Sequence, residues 1–237
     1  MSWSALAADP AWARHRELLD RWLLEPLCED DGHSPEEIAQ AEAALGAEFP
    51  APLREWYALL GRRLTPGSGF MYLPLPLFEV QLRTDRGQTR LWICDCHQSV
   101  CDFSLPASAR GVSSEVVCYS SDSVGTQRAR WEPRDFFYWL LVQQVLMAEL
   151  FERRFVQGAR FGVVFATPDE AMDAEAMFEA LDVVKADEGQ VFLGDEDLLV
   201  GLPGVEPWYA AARTAEAWEW VEEWTENCEE TRVRPLD

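Results

Sequence analysis

The sequence predicts an α+β fold, and three observations carry that expectation. Apolar residues recur at helical spacing from Trp12 to Leu60, switch to strand-like alternation between Gly67 and Val124, and return to helical spacing from Phe136. The last third alternates again between strand-like and helix-like segments. Of 237 residues, 48% are hydrophobic and 12% aromatic, so the chain can bury a sizeable core and a folded, not disordered, chain is expected.

A first helix is expected over Trp12–Leu24, with Trp12, Leu18, Leu19, Trp22 and Leu23 on one stripe and His15 on its surface. Glu25–His33 reads as a polar connector. Ser34-Pro35-Glu36-Glu37 is a sharp helix start: Ser34 caps, Pro35 suits the first helical position, and Glu37 closes a capping box. Ile38, Ala41, Glu42 and Leu45 follow at helical spacing, and Gly46 is placed to end the helix in the left-handed conformation. Pro50 and Pro52 bracket a restart. Leu53–Leu60 then reads as a helix with Trp56, Leu59 and Leu60 inward, closed by Gly61.

Strands are expected around Leu73, Leu75, Leu77, Val80 and Leu82, then Leu91 and Ile93, then Val116, Val117 and Tyr119. Gly87, Cys96–Ser99 and Gly111 mark the turns. Pro133-Arg134-Asp135 opens a long helix from Phe136 to about Arg153. Beyond it, Phe161–Ala166 reads as a strand, and Thr167 and Pro168 start a helix through Leu181. Val183-Val184 and Val191–Leu193 predict a hairpin around Asp187-Glu188-Gly189, with Leu198–Val200 as a further strand. Pro207 opens a final helix from Trp208 to about Asn227. This is a β-α-β-β-α pattern over 155–237, after a first domain over 1–154. It reads either as a separate domain or as a widening of the first sheet.

The net charge is −22, from 42 acidic and 20 basic residues. Binding phosphates requires a positive footprint, so this balance argues against DNA or RNA as a direct partner. It equally disfavours an anionic membrane surface and favours a basic protein drawn in by long-range attraction. Met1–Arg16 contains Asp9, Arg14 and Arg16 with no apolar core, so no signal-peptide pattern is read there. Phe136–Phe151, the most apolar stretch, is broken by Gln143, Gln144 and Glu149 and reads as a core helix, not a membrane span. A cytoplasmic location is therefore expected, with the six cysteines as reduced thiols.

The charge is unevenly spread. Residues 1–154 hold 22 acidic and 15 basic side chains, a net of −7, whereas residues 155–237 hold 20 and 5, a net of −15. On the final helix, at about 100° per residue, Glu216, Glu219, Glu222, Glu223, Glu226, Glu229 and Glu230 fall in one sector, and Trp218, Trp220, Val221 and Trp224 fall on the other side. Like charges on one face repel and reduce helix stability. For a single Glu, a solvated surface position is the simpler reading. The stripe as a whole, together with Asp195, Glu196 and Asp197, is read as a surface that receives Arg or Lys of a partner.

Catalytic and metal chemistry find weaker support. Cys94, Cys96, His97 and Cys101 form C-x-C-H-x3-C, but strand alternation puts Cys94 and Cys96 on one face and leaves His97 at a turn. Structural zinc sites more often use C-x2-C pairs, so free thiols are expected and no metal or cofactor is assigned. The three histidines, His15, His33 and His97, stand in no recognisable nucleophile–base pattern, and no nucleophile elbow, phosphate loop or dinucleotide fingerprint occurs. Acidic pairs such as Asp195 and Asp197 arise by chance in so acidic a chain. No catalytic residue is expected.

Residues 34–62, SPEEIAQAEAALGAEFPAPLREWYALLGR, resemble the opening signature of the SUKH superfamily. The resemblance is carried by Glu36, Glu37, Ile38, Leu45, Gly46, Pro50 and Gly61. LWICDCHQSVCDF at 91–103 is similar to the family's central hairpin, Val116–Tyr119 to its next strand and Phe136–Leu141 to its closing helix, so the likeness covers residues 10–155. Many members have Asn-Gly after the second helix, where this chain has Gly61-Arg62-Arg63. The resemblance implies helices packed on a curved, mostly antiparallel sheet, and a non-enzymatic role. Many bacterial members are immunity proteins that bind and neutralise a cognate toxin, often a nuclease. A regulator or scaffold of the same fold, and a hydrolase or metal enzyme with an unfamiliar site, are the rival expectations.

Overall fold

The computed structural model describes residues 2–22, 25–63, 72–85, 87–96, 101–107, 116–120, 127–146, 159–165, 183–186, 189–193, 198–202, 208–226 and 232–236. They form an α+β structure of helices and antiparallel sheets. Its contacts gather into two units, one of Met1–Glu17 with Pro26–Leu140 and one of Leu18–Glu25 with Leu141–Asp237. The expected boundary at 154/155 lies outside the described residues.

In the first unit, helix α1 (Trp3–Ala7) precedes the expected first helix and is capped by Ser2, whose side chain accepts from Ala5 N. Trp12 does not start an α-helix. Asp9 and Pro10 set up a 3-10 turn (Pro10–Trp12), and α2 runs Ala13–Trp22. Trp12, Leu18, Leu19 and Trp22 are buried as their spacing requires, while Leu23 and Leu24 lie outside the described residues.

The connector before the capping box is more than a linker. It contains a 3-10 turn (Glu29–Asp31) in which Asp31 is buried. The Asp31 carboxylate accepts from Cys28 N at 2.8 Å and pairs with Arg63 at 3.0 Å, while its carbonyl accepts from Arg62 N and Arg63 N at 2.9 and 3.2 Å. His33 N donates to the Tyr57 carbonyl at 2.9 Å.

α3 (Pro35–Leu45) starts at the expected capping box, with Glu37 N on Ser34 Oγ at 3.2 Å and Ser34 N on Glu37 Oε2 at 2.8 Å. It ends at Gly46 with φ 76°, a left-handed turn that disfavours any side chain. α4 (Ala51–Leu60) buries Leu53, Trp56, Tyr57, Leu59 and Leu60. Arg62, directly after Gly61 at the end of α4, bonds Glu37 at 2.5 Å. Together with the Ser34 N–H, this guanidinium holds the Glu37 carboxyl down to about 2. Arg62 and Arg63 thus tie the end of α4 to the loop and cap of α3.

Strands β1 (Tyr72–Pro74), β2 (Gln81–Asp85), β3 (Gln88–Cys96), β4 (Cys101–Pro106), β5 (Val116–Ser120) and β6 (Gln127–Trp131) form one antiparallel sheet in the order β1-β3-β4-β5-β6, with β2 also on β3. Leu77, expected in a strand, sits in a 3-10 turn (Leu77–Glu79). Strand β6 is not evident from the sequence, because Gln-Arg-Ala-Arg lacks the β-branched signal. Strand β3 has Leu91, Trp92, Ile93 and Cys94 all buried, as a strand covered on both faces must.

α5 (Pro133–Leu146) begins where Pro133-Arg134-Asp135 predicts, and its expected end near Arg153 lies outside the described residues. Phe103, Trp131, Phe136 and Trp139 stack with ring centroids 5.0 to 5.9 Å apart. Trp56 lies flat on Phe137 at 4.6 Å and 11°.

In the second unit, β7 (Arg160–Phe165), β8 (Val183–Ala186), β9 (Gly189–Leu193), β10 (Leu198–Leu202), β11 (Trp208–Ala212) and β12 (Arg232–Leu236) form a second sheet, ordered β12-β7-β11-β10-β9-β8 with every neighbour antiparallel. The helix expected over 167–181 lies outside the described residues. One expectation is overturned. Trp208–Ala212 is a strand, and helix α6 spans only Ala215–Glu226. The Trp-Tyr-Ala-Ala-Ala run has a high helix propensity. It pairs with β7 on one side and β10 on the other, and all three alanines are fully buried. β12 carries Pro235 at the end of the strand order, where a missing N–H is tolerated.

Candidate functional site

α6 leaves the sheet after Arg213. The side chain of Thr214 accepts from Ala217 N at 3.1 Å and caps the helix. β11 and β12 are both antiparallel to β7, hence parallel to each other, and α6 makes the crossover between them, packing on all three strands. Trp218, Val221 and Thr225 point into that packing and are buried. Glu216, Glu219, Glu223 and Glu226 are exposed on the opposite sector.

The helix is not uniform around this stripe. Trp220, expected with the buried tryptophans, is half-exposed, at the margin of the acidic sector. Glu222 is half-buried and accepts from Trp218 Nε1 at 2.7 Å, a bond within one turn of the helix. Glu222 therefore anchors a core tryptophan, and the other four carboxylates lie on the exposed sector. Replacing Glu222 by Ala should cost about 1 kcal/mol through the lost indole acceptor, read as a lower urea midpoint. Removing an exposed neighbour such as Glu219 should leave that midpoint within about 0.5 kcal/mol of wild type.

The stripe works against its own helix. Glu216 in the first turn suits the positive end of the helix, but Glu223 and Glu226 crowd the negative end, and the last turn holds no basic residue. Asp195, Glu196, Asp197, Glu229 and Glu230 lie outside the described residues, as does the side chain of Trp224.

The cysteine motif is divided. Cys94 is a buried free thiol on β3, Cys96 and Cys101 end β3 and begin β4, and His97 lies outside the described residues. Among the described residues, no group of three or more His, Cys, Asp or Glu is arranged to hold a metal ion, and no helix is long and apolar enough to cross a membrane.

His15 corrects another expectation. It is fully buried, 0% exposed, instead of on the helix surface. Its spacing of three residues from Trp12 and Leu18 places it on the apolar stripe, so periodicity alone carried the signal. The chain matches no family model, no curated protein and no solved structure.

Proposed function

We propose that the chain is an immunity protein: it binds a cognate, basic bacterial toxin, such as a nuclease effector, in the cytoplasm and neutralises it without catalysis. The observation that carries this reading is the exposed carboxylate face of α6, formed by Glu216, Glu219, Glu223 and Glu226, on the smaller C-terminal part of the chain that holds most of the net charge. Carboxylates spaced three and four residues apart on one face repel one another, and Glu226 stands at the negative end of the helix; a cationic surface relieves both penalties. The SUKH-like signature at 34–62 points to the same reading. A SUKH-type curved sheet with an acidic C-terminal extension is the fold this proposal implies.

The test is purification of the tagged full chain from its native cell and identification of what is retained. A basic protein held at low salt and released at high salt is the expected result. With that partner in hand, Glu219, Glu223 and Glu226 changed together to Lys should weaken binding at least tenfold, about 1.4 kcal/mol, with the fold intact by circular dichroism. Unchanged affinity would remove α6 from the interface. A small molecule as the sole tight ligand would end the immunity reading.

A further inference from the structure

We propose that His15 is an acid-sensitive latch, which holds the start of α2 on the first turns of α5 while neutral and releases it when protonated. The ring lies between Trp12, with centroids 4.6 Å apart, and the edge-on Tyr138 at 5.4 Å. Its Nε2 is 2.8 Å from the Arg134 carbonyl. A carbonyl only accepts, so Nε2 carries the proton and Nδ1 is the bare nitrogen. Nδ1 is buried with no hydrogen-bond partner among the described residues. Protonation would therefore create a buried N–H without an acceptor and a charge without solvent.

The neighbouring charges are already committed. On α2, Arg14 pairs with Asp135 of α5 and lies over the Tyr138 ring at 4.6 Å. Arg134 of α5 bonds Glu55 of α4 at 2.6 Å and sits 3.7 Å from Glu132. Glu55 also accepts from Trp12 Nε1 at 3.0 Å, and Glu132 accepts the Arg134 and Asp135 N–H groups at the head of α5. Asp135, the carboxylate closest in sequence to the Arg134 carbonyl, is thus engaged by Arg14, and two guanidiniums flank the ring. Burial is the largest influence, and it holds His15 neutral down to about pH 4, against an ordinary value of 6.5. A released ring takes its proton near 6.5, so the stabilisation is complete above that pH and is lost as pH falls toward 4.

Amide hydrogen exchange on the full chain, corrected for intrinsic rates, reads the latch. Between pH 7 and pH 5, the first turns of α2 and α5 should lose protection about 20-fold, which follows from 6.5 for the released ring and about 4 for the held one. His15→Gln, whose side-chain amide can still donate to the Arg134 carbonyl, should lose less than about threefold over the same range. His33, at the head of α3, also has its pKa lowered by burial, so the readout is confined to α2 and α5. Equal loss in both proteins overturns the proposal, as does unchanged protection in the wild type. Direct titration of the wild-type His15 ring should show no protonation near pH 6.5. A midpoint there, with α2 still protected, would also overturn it.

Discussion

Gly32→Ala should lower the unfolding free energy by at least about 3 kcal/mol, which makes it one of the most damaging single-methyl additions available to this chain. A Cβ at Gly32 would stand 1.8 Å from the Ala58 carbonyl oxygen and 2.6 Å from the Ala58 carbonyl carbon. Both atoms are backbone in the last turn of α4, so no side chain can rotate away. Either the loop lifts or α4 bends. Lifting the loop strains the His33 N–H to Tyr57 bond, the two N–H bonds to the Asp31 carbonyl and the Asp31–Arg63 pair. The Arg63 and Asp31 side chains are 11% and 9% exposed, so losing their contact strands charge in a partly dry site. Urea unfolding followed by circular dichroism measures the effect. A wild-type midpoint for Gly32→Ala would show that the loop does not sit on α4 in this way.

Trp56→Ala should cost about 4 kcal/mol, within the range for deleting a buried aromatic. Trp56 is 2% exposed, and its ring lies flat on Phe137, which Trp12 also stacks against at 6.3 Å. Deleting it opens a cavity where α4, α5 and the segment before α2 meet through these rings. Trp56→Phe keeps an aromatic surface against Phe137 and should cost clearly less. The near-ultraviolet dichroism of the two variants and their urea midpoints make the comparison. Equal midpoints for Trp56→Ala and wild type would place the core elsewhere.

The parts of the fold legible in the sequence are those set by a few neighbouring residues. The α3 start is one, because Ser34 and Glu37 satisfy each other's backbone N–H groups within a single turn. The left-handed Gly46 and the Gly87 turn between β2 and β3, with φ 78°, are others. Trp208–Ala212 was not legible, since short alanine runs favour a helix until strands on both sides supply their hydrogen bonds. β6 and β12 are not legible either. Their residues are polar or contain proline, and only pairing with β5 and β7 makes them strands.

The candidate site divides along the same line. That carboxylates gather on one helical face follows from spacing, and spacing also places Trp218 and Val221 opposite them. Spacing does not distinguish Glu222 from Glu219 or Glu223. That difference comes from the hydrogen bond of Glu222 to an indole N–H held by the packing of α6 on its sheet. His15 is the reverse case, since its place on the stripe was visible while its neutral, buried state required α5.

Composition, periodicity and capping chemistry by themselves determined the α+β class, the helix start at Ser34 and the acidic bias toward the C-terminal part, because each depends on local geometry or on a simple sum. Only the tertiary structure decided that Trp208–Ala212 is a strand, that Asp31 and His15 are buried, and that Glu222 serves the core. Each of these depends on partners distant in sequence or on the packing of the folded chain, and no short window of residues contains them.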